Sequence, residues 1–251
     1  MARIFITGSA DGLGLRAAQA LIKRGHEVTL HARSVARAAD ARAACPGAAD
    51  VLVADLSSIA ATKALAAELN ARGPWDTIVH NAGLFLEGRT QPGEGELPPL
   101  FAVNTLAPYI LSSLVSPPPR RLVFVSSQMH KGGDAGFRDL RGANYSDSKL
   151  HDLVLAFWFA RRFGDGGTLS NSVDPGWVAT KMGGVGAPDD IGAAVDTYVM
   201  LAEDAGPAHG RTGTHWYQMR ERSVKSEVYD QAVQEKLVRA LAEISGVEPP
   251  Q

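Results

Sequence analysis

The sequence predicts an α/β fold: one doubly wound, mostly parallel sheet of about seven strands with helices on both faces. Three observations lead there. Short apolar runs of strand length alternate with longer runs of helical character along the whole chain, as in parallel sheets covered on both sides. The residues best suited to chemistry fall just after the strand-like runs. No linker, internal repeat or low-complexity tract divides the 251 residues, so a single domain over 1–251 accounts for them.

"RIFIT" (3–7) reads as a buried strand, and Leu13–Arg24 as a helix with Gly25 just past its end. "EVTLHA" (27–32) is the second strand and Ser34–Ala44 an alanine-rich helix. "ADVLVA" (49–54) precedes a helix from about Ser57, its N-cap, to Asn70. "WDTIVH" (75–80) is the fourth strand and ends at "NAG". Residues 87–99, with three glycines, three prolines and three glutamates, read as a loop before a helix through Asn104, which "PPPRR" closes. "LVFVSS" (122–127) is the fifth strand, 128–143 a loop, and Asn144–Phe163 a helix. "TLSNSVD" (168–174), a helix near Pro188–Glu203, "THWYQ" (214–218) and an amphipathic helix near Ser226–Ile244 complete the chain.

Composition excludes several functions. A net charge of −2 with no basic run speaks against nucleic acid. The longest apolar run, within 153–160, is too short to cross a bilayer, so no membrane partner is expected. Cys45 is the single cysteine, which rules out an intramolecular disulfide; a cytoplasmic location is expected. The seven histidines show no i,i+4 pair with a third ligand nearby, so no metal site is expected. Neither a nucleophile-elbow motif nor a P-loop occurs.

In an open α/β sheet ligands bind outside the carboxyl ends of the strands. Four such ends carry "TGSADGLG", "HNAG", "SSQ" and "DPGWVAT". In the first, Gly8, Gly12 and Gly14 join a strand to a helix with Ser9, Asp11 and Leu13 between them. Such glycines permit a tight turn and close backbone approach, so that free N–H groups and the helix dipole can hold a pyrophosphate. The assembly is Rossmann-type. Its spacing is T-G-x-x-x-G-x-G rather than G-x-G-x-x-G.

The helix from Asn144 is apolar all round, yet its first turn carries Tyr145 and, four residues on, Lys149, on one face. A phenol can donate a proton and, once ionised, can serve as a base. A free tyrosine, with a pKa of about 10, is a poor base at neutral pH. An ammonium one turn away favours the phenolate, which predicts that Lys149 lowers the Tyr145 pKa. Tyr109, Tyr198, Tyr217 and Tyr229 lack a lysine at that spacing, so the pair is singular in this chain.

Taken in order, these segments resemble the short-chain dehydrogenase/reductase family over about 3–246, and "H…G…F.DL" in the 128–143 loop resembles its retinol-dehydrogenase-like branch. The resemblance implies catalytic roles for Asn104, Ser127, Tyr145 and Lys149, with Asn104 holding a water that links Lys149 to solvent. It implies an adenine-contacting pair at Asp55-Leu56, a sheet-stabilising turn at Asn81-Ala82-Gly83, and nicotinamide contacts from Pro175, Gly176, Val178 and Thr180. Two departures stand out. Tyr145 follows Ser127 by 18 residues, through an expanded loop, and the lid after Thr180 is short.

An acidic residue closing the second strand favours NAD, whereas an arginine accommodates the 2′-phosphate of NADP. Here the strand ends in Arg33 and Ser34, with Arg37 one turn on, so NADP is expected and NAD remains possible. Met129, Trp177 and Met182 are candidate substrate contacts, together with His130 and Phe137, for an apolar small-molecule carbonyl or alcohol. The all-round apolar helix predicts a homo-oligomer, dimer or tetramer, with burial under the C-terminal helix as the rival explanation. The activity expected is that of an NADP-dependent carbonyl reductase or alcohol dehydrogenase. The alternative is a non-catalytic NAD(P)-binding regulator or redox sensor.

Overall fold

A computed structural model of the chain describes residues 1–85 and 97–250. Most of the loop expected at 87–99 lies outside the described residues; Pro99 already begins a helix. Eight strands form one sheet among the described residues, in the order β3-β2-β1-β4-β5-β6-β7-β8. They are β1 (Arg3–Ile6), β2 (Glu27–Ala32), β3 (Asp50–Val53), β4 (Thr77–His80), β5 (Arg121–Val125), β6 (Leu169–Val173), β7 (His215–Tyr217) and β8 (Arg220–Glu221). The first seven run parallel, and β8 turns back antiparallel on β7. The eighth, two-residue strand exceeds the expected seven. It forms because Gln218 and Met219 adopt positive φ (46° and 62°) and reverse the chain.

The order reverses between β1 and β4, and that switch point opens the crevice. The helices are α1 (Gly12–Lys23), α2 (Val35–Ala44), α3 (Ile59–Arg72), α4 (Pro99–Phe101), α5 (Ala107–Leu114), α6 (Tyr145–Phe163), α7 (Ile191–Glu203) and α8 (Gln231–Ser245). One apolar layer packs α1, α2 and α7 on the sheet; the other packs α3, α5, α6 and α8.

Local chemistry moves several boundaries. Ser58, not Ser57, caps α3, because Ser57 is held by the Asp55 carboxylate while Ser58 Oγ accepts the Ala61 amide. Asp190 caps α7, which starts at Ile191, and Asp230 caps α8; Ser226–Tyr229 is a separate short turn. Between α4 and α5 the helix widens into a π turn (Ala102–Leu106) that holds Asn104. Such wide turns often mark functional sites.

The apolar coat of α6 is covered within the chain. Every residue from Ser148 to Ala160 is buried. One face packs on β5 and β6, and α8 lies on another with Leu237, Val238 and Leu241. Trp158 Nε1 donates to Glu235 at 3.0 Å, Arg161 pairs with the same carboxylate, and Phe157 meets Tyr229 edge-on at 5.2 Å. The coat therefore needs no second subunit, and the basis for expecting a homo-oligomer on this helix is removed. Among the described residues, no helix is long and apolar enough to cross a membrane.

Candidate active site

The glycine loop is built around its neighbours. Gly8 has φ +62°, and a Cβ there would lie 2.7 Å from Ala82 Cα, so the loop and the "NAG" turn touch backbone to backbone. Asn81 Nδ2 donates to the carbonyls of Thr7 and Gly8 (2.9 and 3.0 Å), and Thr7 Oγ1 accepts the amides of Asn81 and Ala82. Gly14 abuts the Asn81 amide. Asn81, Ala82, Gly8 and Gly14 thus form one joint between β1 and β4.

The cofactor test turns on α1. Asp11 makes no side-chain capping bond at its N-terminus, so the first-turn amides of Gly12, Leu13 and Gly14 are not closed off by a cap. Gly12 has φ +58° with nothing within 4 Å of a Cβ position. Uncapped amides beside open space fit a pyrophosphate. Ser9 instead serves structure: buried, it donates to Ile6 O and accepts the His31 amide.

Arg33 and Ser34 are exposed at the carboxyl end of β2, Ser34 capping α2. Arg37 is occupied, donating to Asp11 at 2.6 Å and to Asp40 at 3.1 Å, and Lys181 reaches the same Asp11 oxygen at 3.1 Å. Asp55 is exposed, where it can meet a ligand; Leu56 is buried in the core beside it.

The acid–base candidates come together from three elements. Asn144 and Asp147 form a capping box that fixes where α6 starts and puts Tyr145 in its first turn. Lys149 Nζ lies 5.5 Å from the Tyr145 ring centroid, and Phe85 packs edge-on to that ring at 4.8 Å. Ser127 follows β5, half-buried, its Oγ accepting the Met129 amide. Ser126 is buried and donates to Lys149 O, tying β5 to α6. Gly83 stands between Asn104 and Lys149: its Cβ position is 3.7 Å from Asn104 Oδ1 and 3.8 Å from Lys149 Nζ. Asn104 itself is engaged with the Leu84 backbone, accepting from N and donating to O, and with Ser148 Oγ. No bond from Asn104 to Lys149 is seen among the described residues.

Lys149 is 4% exposed and donates to Val125 O and to Asp152 Oδ2, both at 2.8 Å. Burial pulls the ammonium down, but Asp152 and then Tyr145 more than reverse this, and its pKa is raised. Burial pushes the Asp152 carboxyl up to about 6 against the pull of Lys149. Burial also raises the Tyr145 phenol; Lys149 opposes this, while Asp152 and Asp174 add to it. Lys149 thus lowers the phenol as its i,i+4 spacing predicts, but burial outweighs it and the net direction is up.

After β6, Asp174 is buried and accepts the amides of Gln128 (2.9 Å) and Gly176 (2.8 Å), so it staples the segments following β5 and β6. Gly176 has φ +79°, and Pro175 is half-buried beside it. Val178 is buried, bridging to Asp189, and its carbonyl accepts the Thr180 amide. Met129, Trp177 and Met182 are 44%, 58% and 50% exposed near the strand ends, available to a ligand. His130 and Phe137 are not: His130 is buried and bonded to Ser127 O, and Phe137 is buried against His151.

Three residues escaped the sequence reading. Asp152 carried a signal, as the one carboxylate inside a buried apolar stretch. His31 and Lys181 carried none, since their partners are distant in sequence.

The comparisons agree with this fold. Residues 2–189 match a protein-family model described as "short chain dehydrogenase". An uncharacterized oxidoreductase of Emericella nidulans is 46% identical, covering all of this chain and 99% of its own. The short-chain dehydrogenase chyC of Penicillium rubens is 45% identical, with both chains fully covered. Retinol dehydrogenase 14 of Mus musculus is 31% identical over 72% of this chain and 62% of its own length. A blue fluorescent protein from a metagenomic library, solved with NADPH, shares the fold at a TM-score of 0.69 and 23% identity, covering 85% of this chain and 94% of its own. The ordered strand-end motifs, the sheet that gathers them and the full-length relatives converge on one assignment: this chain belongs to the short-chain dehydrogenase/reductase family, with relatives of the retinol dehydrogenase kind.

Proposed function

We propose that the chain is an NADP-dependent oxidoreductase that interconverts an apolar carbonyl compound and its alcohol, with Tyr145 as acid/base. The observation that carries this is the placement of Tyr145 and Lys149 on the first turns of α6, beside the strand end that bears Ser127. When bound, the nicotinamide supplies or accepts the hydride.

The chain's own residues do the rest. The α1 amides of Gly12, Leu13 and Gly14 receive the pyrophosphate beside the Gly8 turn, and Arg33, exposed at the end of β2, receives the 2′-phosphate. Asp55, the "NAG" turn and the segment Pro175–Thr180 line the remaining cofactor path. Ser127 Oγ donates to the substrate oxygen and orients it. In reduction, Tyr145 passes its Oη proton to that oxygen as negative charge develops; in oxidation the phenolate takes the hydroxyl proton back. Lys149 holds positive charge beside the phenol. Met129, Trp177 and Met182, exposed around the site, supply apolar contact for the substrate body. Residues 1–251 act as one unit in this reading, with cofactor and substrate sites in the same crevice.

The test is a fluorescence titration with NADPH and NADH, on the wild type and on Arg33→Ala, followed by a carbonyl panel with Tyr145→Phe. NADPH binds more tightly, and Arg33→Ala removes the preference. Tyr145→Phe lowers turnover by about 10²-fold or more while cofactor binding persists. Failure of both nucleotides to bind would sink the reading.

A further inference from the structure

The stretch of α6 from Leu150 to Ala160 is apolar except for His151 and Asp152. Asp152 is 2% exposed and meets Lys149 Nζ at 2.8 Å. A carboxylate is costly at such a place unless it is paired. Its pairing also has a consequence for Tyr145. Lys149 has three N–H donors; one goes to Val125 O and one to Asp152, so the ammonium near the phenol is already matched by a negative charge.

We propose that Asp152 is a positioning residue: it holds the Lys149 ammonium in a buried ion pair and offsets its charge towards Tyr145, so that the phenol keeps its proton to higher pH. The proposal rests on the reading of Tyr145 as the acid/base. The other titratable groups facing this pair are Asp174, beyond β6, and Tyr198 on α7, whose phenol is itself held protonated by burial. The upward push that Asp152 exerts on the Tyr145 pKa is in the same direction. Asp152 touches neither substrate nor phenol; it acts through Lys149. The site is thereby biased towards a protonated tyrosine, the form that donates in carbonyl reduction.

The test is an NMR titration of protein labelled on its tyrosine rings, with the Tyr145 signal assigned by its loss in Tyr145→Phe. In Asp152→Asn the amide oxygen still accepts from Lys149 while the negative charge is gone. The Tyr145 midpoint is expected to fall by about one pH unit. An unchanged or raised midpoint overturns the proposal.

Asp152→Ser supplies a second reading should Asp152→Asn fail to fold. It removes the same negative charge with a smaller side chain, and the Tyr145 midpoint is again expected to fall by about one pH unit. An unchanged or raised midpoint in Asp152→Ser overturns the proposal as well. Neither titration needs turnover. Expected midpoints in a protein without Tyr145-dependent carbonyl activity would sink the proposed reaction alone, and active protein with unmoved midpoints would sink the role of Asp152 alone. In active protein, the alkaline limb of carbonyl reduction also moves to lower pH in Asp152→Asn.

Discussion

His31 Nδ1 accepts the Gly8 amide at 2.9 Å, and its Nε2 reaches Ala54 O at 3.0 Å. One imidazole thus ties the glycine loop to the ends of β2 and β3. The geometry requires a neutral ring with its proton on Nε2, and burial holds its pKa down to about 4. His80 and His215 are held down to about 3, His151 to about 4, and His130 is lowered as well, all chiefly by burial.

The sign of the pH dependence follows. Each ring is neutral when folded and titrates near 6.5 when unfolded, so the unfolded chain binds more protons below that pH. Stability is full above about 6.5 and falls towards 4 and below, by about 1.4 kcal/mol per pH unit for each histidine titrating. Asp152, raised to about 6, works in the opposite direction as one group against five. Denaturant midpoints measured between pH 7 and 5 should decline, and His31→Gln should flatten part of that slope.

Two of the loop's three glycines should respond differently. Gly8→Ala meets Ala82 Cα at 2.7 Å and carries a strained φ, so it should destabilise the protein by about 2–4 kcal/mol in thermal or denaturant unfolding. Gly12→Ala meets nothing within 4 Å and bears only the φ cost, about 1–2 kcal/mol. On the proposed cofactor path its methyl group would stand against the pyrophosphate, so NADPH affinity should fall more than stability does.

Asp11 is expected to restrain cofactor affinity. Its carboxylate draws in both Arg37 and Lys181 and adds a negative charge near the nucleotide path. Asp11→Asn should release Arg37 from one of its two carboxylates, leaving Asp40, and tighten NADPH binding several-fold, by about 1 kcal/mol, with a smaller gain for NADH. Titrations at two salt concentrations check this, since the gain should shrink as salt rises.

The cover that α8 places on α6 should matter to the stability of the single chain. Leu237→Ala in α8 should cost about 2–4 kcal/mol through the cavity it leaves against α6.

What the sequence made legible was local. "TGSADGLG", "NAG", "SS" and the Tyr145/Lys149 spacing each sit within a few residues, and alternation alone gathers them at one edge of a parallel sheet. Burial was not legible in that way. The i,i+4 spacing put Lys149 beside Tyr145, but how far both are removed from water depends on β5, β6 and α7 together. The choice between a subunit and α8 as the cover of α6 could not be read from the helix itself, because both leave the same apolar pattern. The Ser57/Ser58 shift shows the limit at finest grain: two serines suit a cap equally until Asp55 claims one.

The cover over α6 also has a consequence in time. Synthesis runs from the N-terminus, so Phe157 and Trp158 leave the ribosome well before Gln231 begins α8. Until then the helix that carries Tyr145 presents an uncovered greasy flank to everything around it, a state prone to clumping and to chaperone capture. Completion of the fold around Tyr145 is thereby deferred to the last stretch of the chain. A premature stop ahead of α8 would yield a protein with every strand-end motif intact and no dependable solubility.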